Sequence, residues 1–107
     1  MAQSDVIKLL QLYVRILNEA GLRIQKAFLY GSFARNQASE DSDIDVMLVS
    51  DSFDADDIKI KAKAWQLTRK VDLRIEPFTI GSKRFFSDND SALVDQVKKE
   101  GIEISFQ

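Results

Sequence analysis

Three aspartates carry the chemistry this sequence can offer. Asp43 and Asp45 stand two apart in Asp43-Ile44-Asp45-Val46, and Asp72 follows in Val71-Asp72-Leu73. A strand turns residues i and i+2 to the same face, so Asp43 and Asp45 are paired while Ile44, Val46 and Leu48 point the other way. In the later segment Val71, Leu73 and Ile75 form an apolar face, and Asp72, Arg74 and Glu76 share the opposite one. If the two strands are neighbours, Asp72 sits beside the pair, and the reading depends on its doing so. Three carboxylates held that close need raised proton affinity or a bound cation. Hard oxygen ligands select Mg2+ or Mn2+, which together with carboxylates and substrate phosphates serve in-line phosphoryl displacement.

Gly31-Ser32 supplies the complementary half. Glycine removes the side chain where a backbone must approach phosphate, and exposed amides opening the next turn favour an anion. Ser32 adds a hydroxyl donor, and Arg35, one turn on, is placed to reach the same phosphates. Each feature alone is commonplace, as an ordinary turn, a loop-to-strand boundary or an edge residue. Their joint order is what argues for nucleotide triphosphate chemistry.

The remaining composition excludes most alternatives. The 107 residues contain no Cys and no His. That removes thiolate nucleophiles, imidazole bases, disulfides, Cys/His zinc sites and the Ser-His-Asp arrangement. The net charge is −2, with no basic run long enough for a nucleic-acid tail, so nucleic acid is not the expected partner. No export signal and no stretch of about 18 apolar residues is present, which makes a cytoplasmic location the expectation.

The elements that must position these groups read as follows. Val6, Ile7, Leu10, Tyr13, Val14 and Leu17 recur at helical spacing, with Ser4 as N-cap and Gly21 as terminator. Ala27 to Tyr30 is a short strand buried on both faces, halted by Gly31-Ser32, after which Phe33-Ala34-Arg35 opens a brief helix. Residues 37 to 42 are polar loop, and Asp43 to Val49 is a second strand. Asp51 to Asp57 are loop and cap. Ile58, Ala62 and Trp65 then mark the buried stripe of a lysine-rich helix ending near Lys70, and Val71 to Phe78 is a third strand with Pro77 near its end. Ser87 to Ser91 is turn and cap. Leu93, Val94 and Val97 suggest a last helix closed by Gly101, and Ile102, Ile104 and Phe106 alternate as a final strand. The result is an α/β (α+β) fold around a small sheet.

Gly31-Ser32, ten residues and Asp43-Ile44-Asp45, within Tyr-Gly-Ser-Phe-Ala-Arg-Asn and Ser-Asp-Ile-Asp-Val, resemble the signature of nucleotidyltransferases of the DNA polymerase beta superfamily. The minimal nucleotidyltransferases are the best match. The resemblance implies a single domain over residues 1–107, with a mixed sheet and flanking helices. It implies that Gly31, Ser32 and Arg35 hold the nucleotide, that Asp43, Asp45 and Asp72 bind Mg2+ or Mn2+, and that Asp72 helps to activate an acceptor hydroxyl. Asn36 stands where many members have Gly, and Asn tolerates the left-handed backbone well enough to keep the turn.

Minimal members resemble one half of a toxin-antitoxin pair whose other half is a small helical HEPN-type protein. The resemblance then implies transfer of AMP from ATP to a hydroxyl of that partner. Two alternatives stand beside this reading: a non-catalytic antitoxin that only covers its partner, and a small-molecule nucleotidyltransferase. The five basic residues Lys59, Lys61, Lys63, Arg69 and Lys70 read as the solvent side of their helix, with an RNA or acidic-partner face as the alternative, and Phe85-Phe86 as packing under their loop, with one of them stacking on a base or docking a partner as the alternative.

Overall fold

A computed structural model describes residues 1–55, 57–87 and 91–106. Helix α1 (Gln3–Glu19) buries Val6, Leu10, Tyr13, Val14 and Leu17, the expected stripe. It starts one residue before the expected cap, because the Asp5 carboxylate accepts from the Ala2 amide at 3.1 Å. It ends as expected at Gly21 (φ +92°), where the Leu22 amide reaches back to the Leu17 carbonyl at 3.1 Å.

Four strands follow: β1 (Lys26–Tyr30), β2 (Ile44–Ser50), β3 (Ile75–Gly81) and β4 (Ile102–Glu103). Their order in the sheet is β3-β2-β1-β4. β1 runs antiparallel to both β2 and β4, whereas β2 and β3 are parallel, so the sheet is mixed. The parallel crossover is made by a 3-10 turn over Asp51–Phe53, helix α2 (Ile58–Gln66) and a second 3-10 turn over Leu67–Lys70. Of the loop expected over Asp51 to Asp57, residue 56 lies outside the described residues, as do residues 88–90 of the turn expected over Ser87 to Ser91.

Strand alternation sorts the core into two layers. Ala27, Leu29, Ile44, Val46, Leu48 and Ile75 face α1 and α2. Phe28, Met47, Val49 and Ile80 face helices α3 (Ser82–Phe86) and α4 (Ala92–Glu100), which cover them with Phe85, Val94 and Val97. β2 is therefore buried along nearly its whole length, which explains its unbroken apolar run. No helix among the described residues is long and apolar enough to cross a membrane.

Five expectations need correction. The final strand expected through Phe106 is only Ile102–Glu103, with one more bond from the Ile104 amide to the Ala27 carbonyl at 2.7 Å. The turn after β1 is not a helix; it closes through bonds from Arg35 to Gly31 (3.2 Å) and Gln37 to Ser32 (2.9 Å). Helix α2 is rotated relative to the expected stripe: Ala64 is buried with Ile60 and Leu67 beside it, while Ile58 and Trp65 are 79% and 51% exposed. The third strand starts at Ile75, because Val71 to Arg74 form a turn tied to the Thr68 carbonyl. Ser82 to Phe86 are helical and bury Phe85 against Phe28, with ring centroids 5.4 Å apart.

Candidate functional site

The strand registers assemble the site. Tyr30 on β1 is the partner of Asp45 on β2, and Asp45 is in turn the partner of Glu76 on β3. Tyr30, Asp45 and Glu76 thus form a row across three strands on the sheet face that α3 and α4 cover further along. Asp43, two residues before Asp45, is exposed at the edge of the same row. Opposed residues on neighbouring strands sit about 5 Å apart, a distance at which like charges destabilise each other.

The proton affinities follow from that crowding. Burial raises the Asp45 carboxyl above its ordinary value; the charge of Asp43 adds to this, and the Arg35 guanidinium opposes it. Glu76 is raised by desolvation, by the charges of Asp43 and Asp45, and by a side-chain hydrogen bond with Asp43. The Tyr30 hydroxyl is pushed up to about 12 by burial, then by Asp45 and Glu76, so it stays protonated at neutral pH. Each group responds to an excess of negative charge, which a cation would relieve.

Asp72 is not part of this row. Its carboxylate accepts from the Arg74 amide at 2.8 Å and from the Arg74 guanidinium at 2.8 and 3.1 Å. That pairing holds its carboxyl below the usual carboxylate range, with neither Asp43 nor Asp45 acting on it. An Asx turn at Asp72 has taken the residues expected to extend the strand. The third carboxylate beside the pair is Glu76, which the strand register sets opposite Asp45. The sequence pattern puts Glu76 on this face without giving it a role, and it passes over Tyr30, whose place as last residue of β1 is the available signal.

The Gly31-Ser32 turn meets the row at Asp45. Gly31 has φ +78°, and a Cβ built there would collide with Asp45 Oδ2 and lie 3.3 Å from Asp45 Cγ. Glycine is needed twice over, for the backbone and for the approach. Phe33 anchors the turn in the core, and the Gln3 side-chain amide donates to the carbonyls of Phe33 and Ala34 at 2.9 and 3.3 Å. Asn36 closes the turn at φ +56°, the left-handed conformation expected of it. Successive amides around a residue of positive φ form a concavity suited to an anion. Arg35 borders both parts: its Nη1 lies 3.9 Å from Glu100 Oε2, and its charge acts on Asp45.

Asp43, Asp45 and Glu76 offer only hard carboxylate oxygens, the donor set of Mg2+ or Mn2+. The raised proton affinities of Asp45 and Glu76 and the close approach of Gly31 to Asp45 fit a divalent ion. Among the described residues no three acidic side chains form a group that could hold a metal ion, unlike the three-carboxylate cluster the sequence suggests. Surface depressions of about 340 and 330 Å³ lie elsewhere, one beside Gln11 and Phe106, the other beside Phe53 and Thr79. Neither touches the carboxylate row, whose chemistry rests on charge and register rather than on a deep cavity.

Residues 10–104 match the nucleotidyltransferase domain family. No curated protein matches the chain. Among solved structures, the crystal structure of a presumed nucleotidyltransferase from Sulfolobus solfataricus is similar with a TM-score of 0.64 at 17% identity, covering 94% of this chain and 80% of that one. At that identity the likeness speaks for the fold, a mixed sheet flanked by helices. The family match spans nearly the whole chain and includes Gly31, Ser32, Asp43, Asp45 and Glu76, and on that ground the protein belongs to the nucleotidyltransferase domain family.

Proposed function

We propose that the protein transfers a nucleoside monophosphate, AMP from ATP, to a hydroxyl acceptor, with Mg2+ or Mn2+ held by Asp43, Asp45 and Glu76. The observation that carries this is the pairing of Asp45 with Glu76 directly beside Gly31. A divalent ion there would neutralise the triphosphate and polarise its α-phosphorus. The residues divide the remaining work. The Gly31-Ser32 amides and the Ser32 hydroxyl cradle the phosphates, and Arg35 adds a cation at the rim. Tyr30, neutral at physiological pH, offers a hydroxyl at the row without adding charge. In the transfer, the acceptor oxygen bonds to the α-phosphorus, the bond to the β-phosphate bridging oxygen breaks, pyrophosphate leaves, and the acceptor proton passes to a carboxylate of the row or to water.

The resemblance to minimal nucleotidyltransferases supports a protein acceptor, a hydroxyl of a small helical HEPN-type partner, with this chain acting as a cytoplasmic antitoxin and all of residues 1–107 as one transferase unit. The test mixes purified protein with the helical protein encoded beside it, α-labelled ATP and Mg2+. Label should pass to the partner with wild type and be lost with Asp43→Asn, Asp45→Asn and Glu76→Gln. Transfer that survives all three substitutions refutes the assignment. Neutralisation of the partner by variants that transfer nothing would mean that binding alone is the activity.

A further inference from the structure

The outward face of α2 carries an apolar stripe in the wrong place for a surface helix. Ile58, Ala62 and Trp65 lie at i, i+4 and i+7, the spacing that normally marks the buried side, yet all three are exposed. The core is served instead by Ala64 with Ile60 and Leu67. A helix apolar on two sides has a second surface to cover. Ile58 at 79% exposure and Trp65 at 51% are among the largest apolar side chains left in water.

The surroundings of the stripe define what would cover it. Residues 58 to 70 contain Lys59, Lys61, Lys63, Arg69 and Lys70 and no Asp or Glu, although the whole chain has net charge −2. Lys63 leans away to the Ala20 carbonyl at 3.1 Å, capping the end of α1. The face is thus an apolar ridge with a basic rim. A second copy of the chain would bring these cations together across an isologous contact. Nucleic acid would be served by the charges and by Trp65, but Ile58 and Ala62 offer bases nothing to stack on.

We propose that this face docks a protein whose apolar surface is rimmed by carboxylates, with Trp65 as its central anchor. Tryptophan is enriched among residues that dominate interface energy, and charge complementarity sets partner choice. The face lies on the helical layer opposite the carboxylate row, so docking leaves that row open. The inference is independent of the transfer reaction.

Trp65 is the only tryptophan, so its emission reports burial without a label. The test titrates the whole protein with two helical peptides sharing one leucine face, one rimmed by glutamate and the other by lysine, and with oligouridylate. The glutamate-rimmed peptide should shift Trp65 emission to the blue and shield it from acrylamide, weakening as salt rises. Ile58→Ser, at an exposed position where far-UV circular dichroism should show the fold unchanged, should weaken binding about tenfold, or ~1.4 kcal/mol. Lys59→Glu combined with Arg69→Glu should transfer the preference to the lysine-rimmed peptide. No response to the glutamate-rimmed peptide, or equal response to both, overturns the proposal. So does oligouridylate competing for the same site, or a blue shift that grows with protein concentration alone. None of these readouts involves nucleotide, so failure here and failure of the transfer assay are separable.

Discussion

Gly31 and Gly21 make a controlled pair for testing whether the turn is built around Asp45. Both have positive φ, +78° and +92°, but a Cβ on Gly21 meets nothing within 4 Å, while one on Gly31 collides with the Asp45 carboxylate. Alanine in a left-handed conformation costs about 1–2 kcal/mol. Gly21→Ala should therefore lose about that much, lowering Tm by roughly 5–15 °C at ~4–8 °C per kcal/mol for a domain near this size. Gly31→Ala should lose the same backbone term plus an overpacking term of about 1–3 kcal/mol. Urea denaturation followed by circular dichroism gives both losses, provided the m-value is unchanged.

The double-mutant cycle isolates the contact. In an Asp45→Ala background the collision partner is gone, so Gly31→Ala should cost no more than Gly21→Ala, a coupling of about 1–3 kcal/mol. Gly21→Ala should couple to Asp45→Ala by less than about 0.5 kcal/mol, as distant sites do. Nucleotidyl transfer should fall with Gly31→Ala and persist with Gly21→Ala at a temperature where both are folded. Equal losses for the two glycines, or a Gly31–Asp45 coupling no larger than the Gly21–Asp45 one, would refute the account of why glycine precedes Ser32.

Glu76→Gln should reduce transfer by more than roughly a hundredfold, the upper range for loss of a group that merely orients a ligand, whereas Asp72→Asn should retain it; steady-state rates with labelled ATP decide which acid belongs to the row. Asp72 has a lowered carboxyl because Arg74 binds it. Its contribution to stability is therefore present above the ordinary carboxylate pKa of about 3.9 and lost as pH falls through the lower folded value. Asp72→Asn should lower Tm at pH 7 and flatten the acid limb of the stability profile. Asp45 has a raised carboxyl, so its ionised form opposes folding above that raised value. Asp45→Asn should thus increase Tm at pH 7.5 in chelator and have no such effect below pH 3. Mg2+ at a hundred times its dissociation constant should stabilise wild type by about 2.7 kcal/mol and leave Asp45→Asn unmoved, as read by melts with and without chelator.

The parts of the fold written in short-range chemistry were legible in the sequence. The stripe of α1, its end at Gly21 and the nearness of Asp43 to Asp45 follow from side-chain periodicity and backbone sterics at single positions, and the left-handed Asn36 from the family resemblance. The misplacements share one cause. Val71 to Phe78 and Ile58 to Trp65 each admit two readings of the same pattern, and tertiary contacts choose between them. For the strand, the choice is made by the Asp72 side chain, which binds the Arg74 amide and closes a turn back to Thr68 before the ladder begins. The first rung is then the Ile44 amide to the Arg74 carbonyl at 2.8 Å, and the register that follows sets Glu76 opposite Asp45. For α2, the rotation that puts Ala64 in the core lets the Tyr13 hydroxyl reach the Ala64 carbonyl at 2.6 Å. A larger residue at position 64 would hold the helix away from that carbonyl. In the strand a local hydrogen bond, and in α2 a long-range one, overrode an apolar pattern. The strand's turn pairs Asp72 with Arg74, and the register that follows leaves Glu76 beside Asp45, so the acid to which the sequence assigns no role is the one the proposed site uses.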